Sequence, residues 1–309
     1  MTFLENQICK LNYPVLTMGT FDGVHKGHQK LIKKLVKTAR AKNGEAVVLT
    51  YYHHPLETIH RKTFPYLLTE NAVKEKLLYN LGIDCILYLN FTPEMAAMEP
   101  EKFLKKIILQ EIGARELVIG YDTHFGKDRK GDYKLLKKLA CKYNYKIDIV
   151  EPYRQDNRII SSSIIRDLVR EGNMQKVKSY LGRNYSIVGQ VVSGHKIGKT
   201  LGYPTVNLKP AQPNKLIPAI GVYICNIRVK DKNFAAATNI GYSPTLKKNG
   251  IKSIESYILD FNEDLYNSNV ELYFLKKIRD EFTFSSKQAL IKQIGKDVET
   301  TKNFYKNRK

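Results

Sequence analysis

The sequence predicts an α/β module followed by an antiparallel β module, and three observations carry that expectation. From residue 14 to about 150, short apolar runs alternate with amphipathic helical patterns, the periodicity of a doubly wound parallel sheet. After Gly182 the texture changes to short alternating segments joined by Gly, Pro and Asn turns, which suggests an antiparallel barrel. A segment with three glycines and two histidines sits at the first strand-to-helix connection, where an α/β sheet holds anions. The boundary is placed near residue 184, giving modules 1–184 and 185–309.

The elements follow in order. Residues 14–18 read as a buried strand, and Leu31, Ile32, Leu35, Val36 and Ala39 form one helical stripe ending before Gly44. Further strands are expected at 46–51, 85–89, 116–119 and 146–150, separated by helical stretches. Ser161, Ser162 and Ser163 supply N-cap candidates for a helix through Val169, and a second short helix runs to Leu181. In the second module, strands are expected at 185–192, 221–229, 234–240, 254–261 and 270–275. A final helix over 286–304 carries Leu290, Ile291, Ile294 and Val298 on one face. No repeat of solenoid period and no low-complexity linker is present, so two different modules follow each other closely.

Composition narrows the function classes. At 309 residues the chain accommodates two sizeable cores, and 43% hydrophobic content fits a soluble globular protein. No run approaches the roughly 20 apolar residues of a membrane span, and no signal-peptide pattern opens the chain, so a cytoplasmic location is expected. Cys9, Cys85, Cys141 and Cys225 are scattered and read as buried or incidental thiols. A net charge of +21 attracts polyanions and favours the rival reading of a nucleic-acid binder. The lysines are spread in pairs along the whole chain, however, as at Lys33-Lys34 and Lys276-Lys277. That is a solvated face, so small-molecule substrates are expected rather than nucleic acid or a membrane. The oligomeric state is not legible.

Gly19-Thr20-Phe21-Asp22-Gly23-Val24-His25-Lys26-Gly27-His28 lies between the first strand and its helix. There the backbone N–H groups and the helix dipole face an anion, glycines permit close approach, and the imidazoles of His25 and His28 donate hydrogen bonds. A zinc reading fails for want of ligands, since Asp22 is the only other local donor. Ser193-Gly194-His195-Lys196-Ile197-Gly198-Lys199-Thr200 imitates a phosphate-binding Walker loop. Only three residues separate its glycines where four are needed, and Gly202 and Pro204 would break the helix it must feed.

The first of these segments resembles the nucleotidyltransferase signature of prokaryotic bifunctional riboflavin kinase/FMN adenylyltransferases. Further matches follow in that family's order: Tyr52-His53-His54-Pro55, Gly120-Tyr121-Asp122-Thr123-His124-Phe125-Gly126 and Ile160-Ser161-Ser162-Ser163-Ile164-Ile165-Arg166. Tyr52, His53 and Ser163 depart from the usual residues. In the second half, Gly198-Lys199-Thr200-Leu201-Gly202-Tyr203-Pro204-Thr205-Val206-Asn207, Asn239-Ile240-Gly241-Tyr242-Ser243-Pro244-Thr245, Ser253-Ile254-Glu255-Ser256-Tyr257 and Ile278-Arg279-Asp280-Glu281 match the kinase segments. Lys199, Tyr203, Val206 and Tyr257 depart from the pattern, as does Asn267 after Leu265-Tyr266.

The resemblance implies a Rossmann-like nucleotidyltransferase domain and a six-stranded antiparallel β-barrel riboflavin kinase domain with a terminal helix. It implies synthesis of FMN from riboflavin and ATP in the barrel, and of FAD and pyrophosphate from FMN and ATP in the first module, with Mg2+ assisting both. Gly19, Thr20, Phe21, His25, His28, Ser162, Ser163 and Arg166 would hold ATP phosphates, with His25 and His28 stabilising charge during transfer. His54, Pro55 and Asp122 would contact FMN or ATP, although Asp122 also reads as an Asx turn. In the kinase, Gly194, Gly198, Lys199, Gly202, Tyr203, Pro204, Thr205, Asn207 and Arg279 would bind ATP or flavin. Thr205 and Asn207 would hold the metal, and Glu255 would be the catalytic base, its alternative being an outward-facing strand glutamate.

Overall fold

A computed structural model describes residues 11–53, 66–193, 198, 201–242 and 252–307. The chain forms two compact units, Met1–Pro65 with Asn71–Ser161, and Tyr66–Glu70 with Ser162–Lys309.

The first unit is built on a five-stranded parallel sheet of β1 (Pro14–Met18), β2 (Glu45–Tyr51), β3 (Cys85–Leu89), β4 (Glu116–Gly120) and β5 (Lys146–Val150), in the order β3-β2-β1-β4-β5. Parallel strands covered on both faces need no polar face, and β1 and β4 are buried throughout. Alternation sends neighbouring residues to opposite layers. Leu16, Val47, Leu87 and Leu117 pack under Phe103, Ile107, Leu136 and Leu139, whereas Val15, Val48, Ile86 and Val118 pack under Ile32, Leu35, Ala39 and Leu78.

The first layer is covered by α4 (Pro100–Phe103), the π-helical segment Leu104–Glu111 that continues it, and α5 (Tyr133–Tyr143); α3 (Pro93–Ala96) precedes them. The second is covered by α1 (Lys26–Arg40) and α2 (Asn71–Asn80). The expected α1 stripe buries Leu31, Ile32, Leu35 and Ala39. A hairpin of β6 (Arg154–Gln155) and β7 (Arg158–Ile159) went unread in the sequence. Its two-residue turn puts Asp156 at φ 52° and Asn157 at φ 58°, the left-handed pair that a tight hairpin requires.

The second unit begins with α6 (Ser162–Glu171) and α7 (Met174–Leu181), which ends at Gly182 in a left-handed cap. The closed antiparallel barrel follows: β8 (Tyr185–Val192), β9 (Thr205–Pro210), β10 (Gly221–Val229), β11 (Lys232–Tyr242), β12 (Lys252–Ile258) and β13 (Asn269–Arg279). Around the barrel the order is β10-β11-β12-β9-β8-β13, and α8 (Lys287–Lys306) closes the chain.

The compact units divide at Ser161/Ser162, whereas the sequence reading divides the modules near residue 184. Packing accounts for the difference: α7 lies against β8 and β13, and Val169 of α6 accepts a hydrogen bond from the Ala219 N–H ahead of β10. The second unit also takes in Tyr66–Glu70. Leu67 pairs with Lys215, donating its N–H to the Asn214 carbonyl (2.8 Å) and accepting from Leu216 N–H (2.9 Å). The Lys215 ammonium donates to the Leu68 carbonyl (2.8 Å) and to Glu70 Oε2 (2.7 Å), with both side chains buried.

The expected face of α8 changes most. Val298 is buried as read, but Asp297 and Thr301 are the other buried residues of the helix, and Leu290 and Ile291 are only half-buried. Asp297 is inward because Arg279 meets it from β13.

Candidate active sites

In the first unit, β2 and β3 lie to one side of β1 and β4 and β5 to the other, so the chain reverses direction across the sheet between β1 and β4. Ligands in open α/β sheets bind beyond the carboxyl ends of the strands at such a point. The segment 19–28 leaves β1 there, and Gly120-Tyr121-Asp122 leaves β4. Gly19 N–H donates to the Leu49 carbonyl (3.0 Å), and Thr50 Oγ1 donates to the Thr20 carbonyl (3.2 Å), which ties the loop to β2. Phe21 (φ 50°) and Val24 (φ 39°) are left-handed yet buried at 1% exposure. A β-branched residue in that region is strained, and such strain survives only where its surroundings enforce it.

His25 is the N-cap of α1: its Nδ1 accepts from the His28 N–H at 3.3 Å. In the neutral ring this leaves the proton on Nε2, which becomes the donor. The His28 ring stacks on His25 with centroids 3.7 Å apart and meets the Phe21 edge at 5.2 Å. Both histidines are expected to donate to phosphate; in the fold His25 is buried and caps the helix start, while His28 is half-buried against it. Asp122 is exposed, its Oδ1 close above Gly120. The hairpin reaches the same helix start, where Lys26 Nζ donates to Gln155 Oε1 (3.2 Å).

Ser162, Ser163 and Arg166 belong to α6 in the other compact unit, where Arg166 Nε donates to the Tyr66 carbonyl (2.8 Å). His54, Pro55, Gly194 and Lys199 lie outside the described residues.

In the second unit the barrel register collects the kinase candidates. Glu255 on β12 is paired across the strands with Asn207 on β9 and with Asn239 on β11, and Tyr257 is paired with Thr205. Directly opposed residues share a sheet face, so Thr205, Asn207, Asn239, Glu255 and Tyr257 lie together on one side. The alternating residues turn to the other side, where Thr238 and Ser256 share a buried hydroxyl hydrogen bond (2.9 Å).

The candidate face is half-covered by α8. Tyr203 and Tyr257, both departures from the family pattern, meet edge to face at 5.4 Å and pack with Ile294 and Val298. Gly198 accepts from the N–H groups of Leu201 and Tyr203. A Cβ there would stand 2.4 Å from the Tyr203 carbonyl oxygen and 3.0 Å from Thr205 Oγ1, so glycine is required for this turn to close on Thr205. Gly202 is left-handed (φ 83°), and Pro204 is exposed just before β9. Arg279 is held by Asp297, with its Nε 3.1 Å from both carboxylate oxygens and its Nη2 2.7 Å from Oδ2. Its guanidinium lies over the Phe282 ring at 4.7 Å.

Over residues 9–164 the chain matches the family model for FAD synthetase, and over residues 181–305 that for riboflavin kinase. A bifunctional riboflavin kinase/FMN adenylyltransferase of Buchnera aphidicola subsp. Schizaphis graminum is 37% identical, the match spanning 94% of this chain and 93% of the relative. The chain belongs to the bifunctional riboflavin kinase/FMN adenylyltransferase family. The member from Escherichia coli strain K12 is 32% identical over 94% of this chain and 92% of its own. A crystal structure from Streptococcus pneumoniae, described as a macrolide-efflux protein, has a TM-score of 0.89 at 30% identity and covers 98% of both chains. Among the described residues of the present chain, no helix is long and apolar enough to cross a membrane.

The family has the FAD synthetase module first and the riboflavin kinase module second, as the ordered motifs imply. Further side chains beside these sites make contacts that the motifs alone do not specify. Asn239 donates to Glu281 Oε1 (3.3 Å) beside Glu255's strand, and Asp297 orients Arg279. Lys74, at 4% exposure, donates to the Tyr51 carbonyl (3.1 Å) at the end of β2. Lys74 lies in none of the quoted motifs, although its place between Asn71 and Leu78 on the inward face of α2, where a hydrophobic residue is the norm, is a readable signal.

Proposed function

We propose that the face shared by β9 and β12 carries the kinase chemistry and that the loop at 19–28 carries adenylyl transfer. The observation that bears most weight is the pairing of Glu255 with Asn207, which brings a carboxylate and a hard-oxygen pair onto adjacent strands. Riboflavin presents a primary hydroxyl on its ribityl chain, a nucleophile that must give up its proton. Glu255 accepts or orients that proton as the terminal phosphoryl group leaves ATP, releasing ADP.

Thr205 and Asn207 offer oxygen donors at alternate positions of an extended strand, a set suited to Mg2+ that keeps phosphate oxygens among its ligands. Bound there, the ion would neutralise phosphate charge. Gly198, Gly202, Tyr203 and Pro204 shape the turn beside Thr205, with Gly194 and Lys199 assigned to it by the family resemblance. Arg279 is assigned to the flavin or nucleotide through the same resemblance.

Adenylyl transfer needs no such base. The attacking oxygen belongs to the FMN phosphate, whose second pKa near 6 leaves it mostly ionised. The task is to hold two anions together and to offset charge as pyrophosphate leaves. Gly19, Thr20 and Phe21 present backbone at the switch point, and the His25 and His28 imidazoles supply donors. Asp122, His54 and Pro55 are assigned to FMN or ATP, and Ser162, Ser163 and Arg166 to ATP phosphates. A cytoplasmic location completes this reading.

The test is incubation of the purified full chain with ATP, Mg2+ and either riboflavin or FMN, with flavins separated by chromatography. FMN followed by FAD from the first mixture, and FAD from the second, is the expected result. Absence of both products would overturn the reading and favour polyanion binding by the basic surface.

A further inference from the structure

A lysine at a core position of a helix is costly, because burial disfavours the ammonium. Lys74 occupies such a position in α2, flanked on the same inward face by Asn71 and Leu78. Asn71 Nδ2 donates to the Tyr52 carbonyl (2.9 Å) and Lys74 Nζ to the Tyr51 carbonyl (3.1 Å), so two polar side chains of one helix face grip the exit of β2. The Lys74 ammonium also lies 5.6 Å from the centre of the Tyr88 ring on β3. The charges of buried Asp22, in the 19–28 loop, and of Glu75, in the same helix, favour its ammonium form. A hydrophobic residue would fill the space at lower cost. What the lysine adds is a positive charge at the exit of β2, the strand to which Thr50 and Leu49 tie the 19–28 loop.

We propose that Lys74 is a positioning residue for adenylyl transfer: its ammonium, tied to the Tyr51 carbonyl next to the Thr50 hydroxyl that anchors the Thr20 carbonyl, holds the nucleotide loop and the exit of β2 in productive register. The inference rests on the assignment of adenylyl transfer to the 19–28 loop. Lys74 acts through the β2 backbone, not by touching the transferring group. Tyr51 from β2 and Tyr88 from β3 face it, and the charges of Asp22 in the loop and Glu75 in α2 also act on it. Burial lowers its pKa from the ordinary 10.5 to about 8, against the opposing pull of Asp22 and Glu75. The charge is therefore present below that value and is lost as pH rises through it. Adenylyl transfer should lose rate over the same interval.

The experiment measures FAD formation from FMN by the full chain from about pH 7 to about 9.5, for the wild type, Lys74→Met and Lys74→Arg. Riboflavin phosphorylation is followed in the same preparations. Lys74→Met should lower kcat for FAD formation roughly 10- to 100-fold, with the KM values for ATP and FMN within about threefold and FMN formation from riboflavin unchanged. Lys74→Arg, whose charge does not titrate in this range, should recover most of that kcat and shed the alkaline decline near pH 8. An alkaline decline that Lys74→Arg retains overturns the proposal, and that comparison does not depend on whether Lys74→Met folds. Equal kcat for Lys74→Met and wild type overturns it too. Substitution of His28 by Ala separates the two layers of inference: if it leaves FAD formation intact, the assignment of the loop fails, whereas if it abolishes FAD formation and Lys74→Met does not, only the role of Lys74 fails.

Discussion

The two candidate sites handle ATP with opposite materials. In the first unit the candidate groups come from loops at the ends of parallel strands, with His25 and His28 following strained backbone at Phe21 and Val24. In the barrel they stand on the strands themselves, in register, with glycine turns only at the margin. The difference follows from the nucleophile. An ionised phosphate needs anion binding, which loops and helix starts provide. A neutral alcohol needs a carboxylate to take its proton, and a strand face fixes one well.

Replacing Glu255 with Gln makes the sharpest break in that comparison. FMN formation should fall roughly 10²- to 10⁴-fold while FAD formation from supplied FMN stays at its wild-type rate, both read by flavin chromatography. Next in size is Lys215→Met, which leaves the Glu70 carboxylate buried without its ammonium. Breaking a buried pair in this way costs about 3–5 kcal/mol, expected as a shift of the denaturant midpoint of the barrel unit alone, resolved by probes in each unit. His28→Ala should lower FAD formation by about 10²-fold and leave FMN formation intact, the mirror image of the Glu255 result. Smallest is Ser286→Ala. Ser286 Oγ accepts from Ala289 N–H (3.1 Å) at the start of α8, and its loss should destabilise that helix by about 1 kcal/mol in an unfolding titration.

Legibility in the sequence followed periodicity. The strands of the first unit alternate between two covered faces and were bounded to within a residue, since burial on both sides leaves an uninterrupted apolar run. The barrel strands were found, but β11 and β13 extend beyond their apolar stretches because ladder hydrogen bonds continue through Lys252, Lys276 and Lys277. β9 was read only as an extended segment, its alternation masked by Pro204 and Pro210.

The site motifs were legible because their glycines and histidines have few other uses in such an order. Side chains that support them from a distance in sequence were not: Asp297 meets Arg279 across 18 residues, and its inward turn contradicts the apolar stripe expected of α8. The double role of His25 was hidden for another reason, since histidine is outside the usual N-cap set.

The strap at Tyr66–Glu70 bears on how the protein is made. Glu70 emerges from the ribosome 145 residues before the Lys215 that neutralises it. At ordinary synthesis rates that is a wait of roughly 7 to 30 seconds. During that interval the chain around residue 70 lacks the bridging segment and the cation that will enclose it, although β3, β4 and β5 complete the parallel sheet before Lys215 is made. The last step in settling this early segment is therefore timed by the barrel, and a C-terminal fragment starting at Ser162 would be born with Lys215 but without the Glu70 carboxylate.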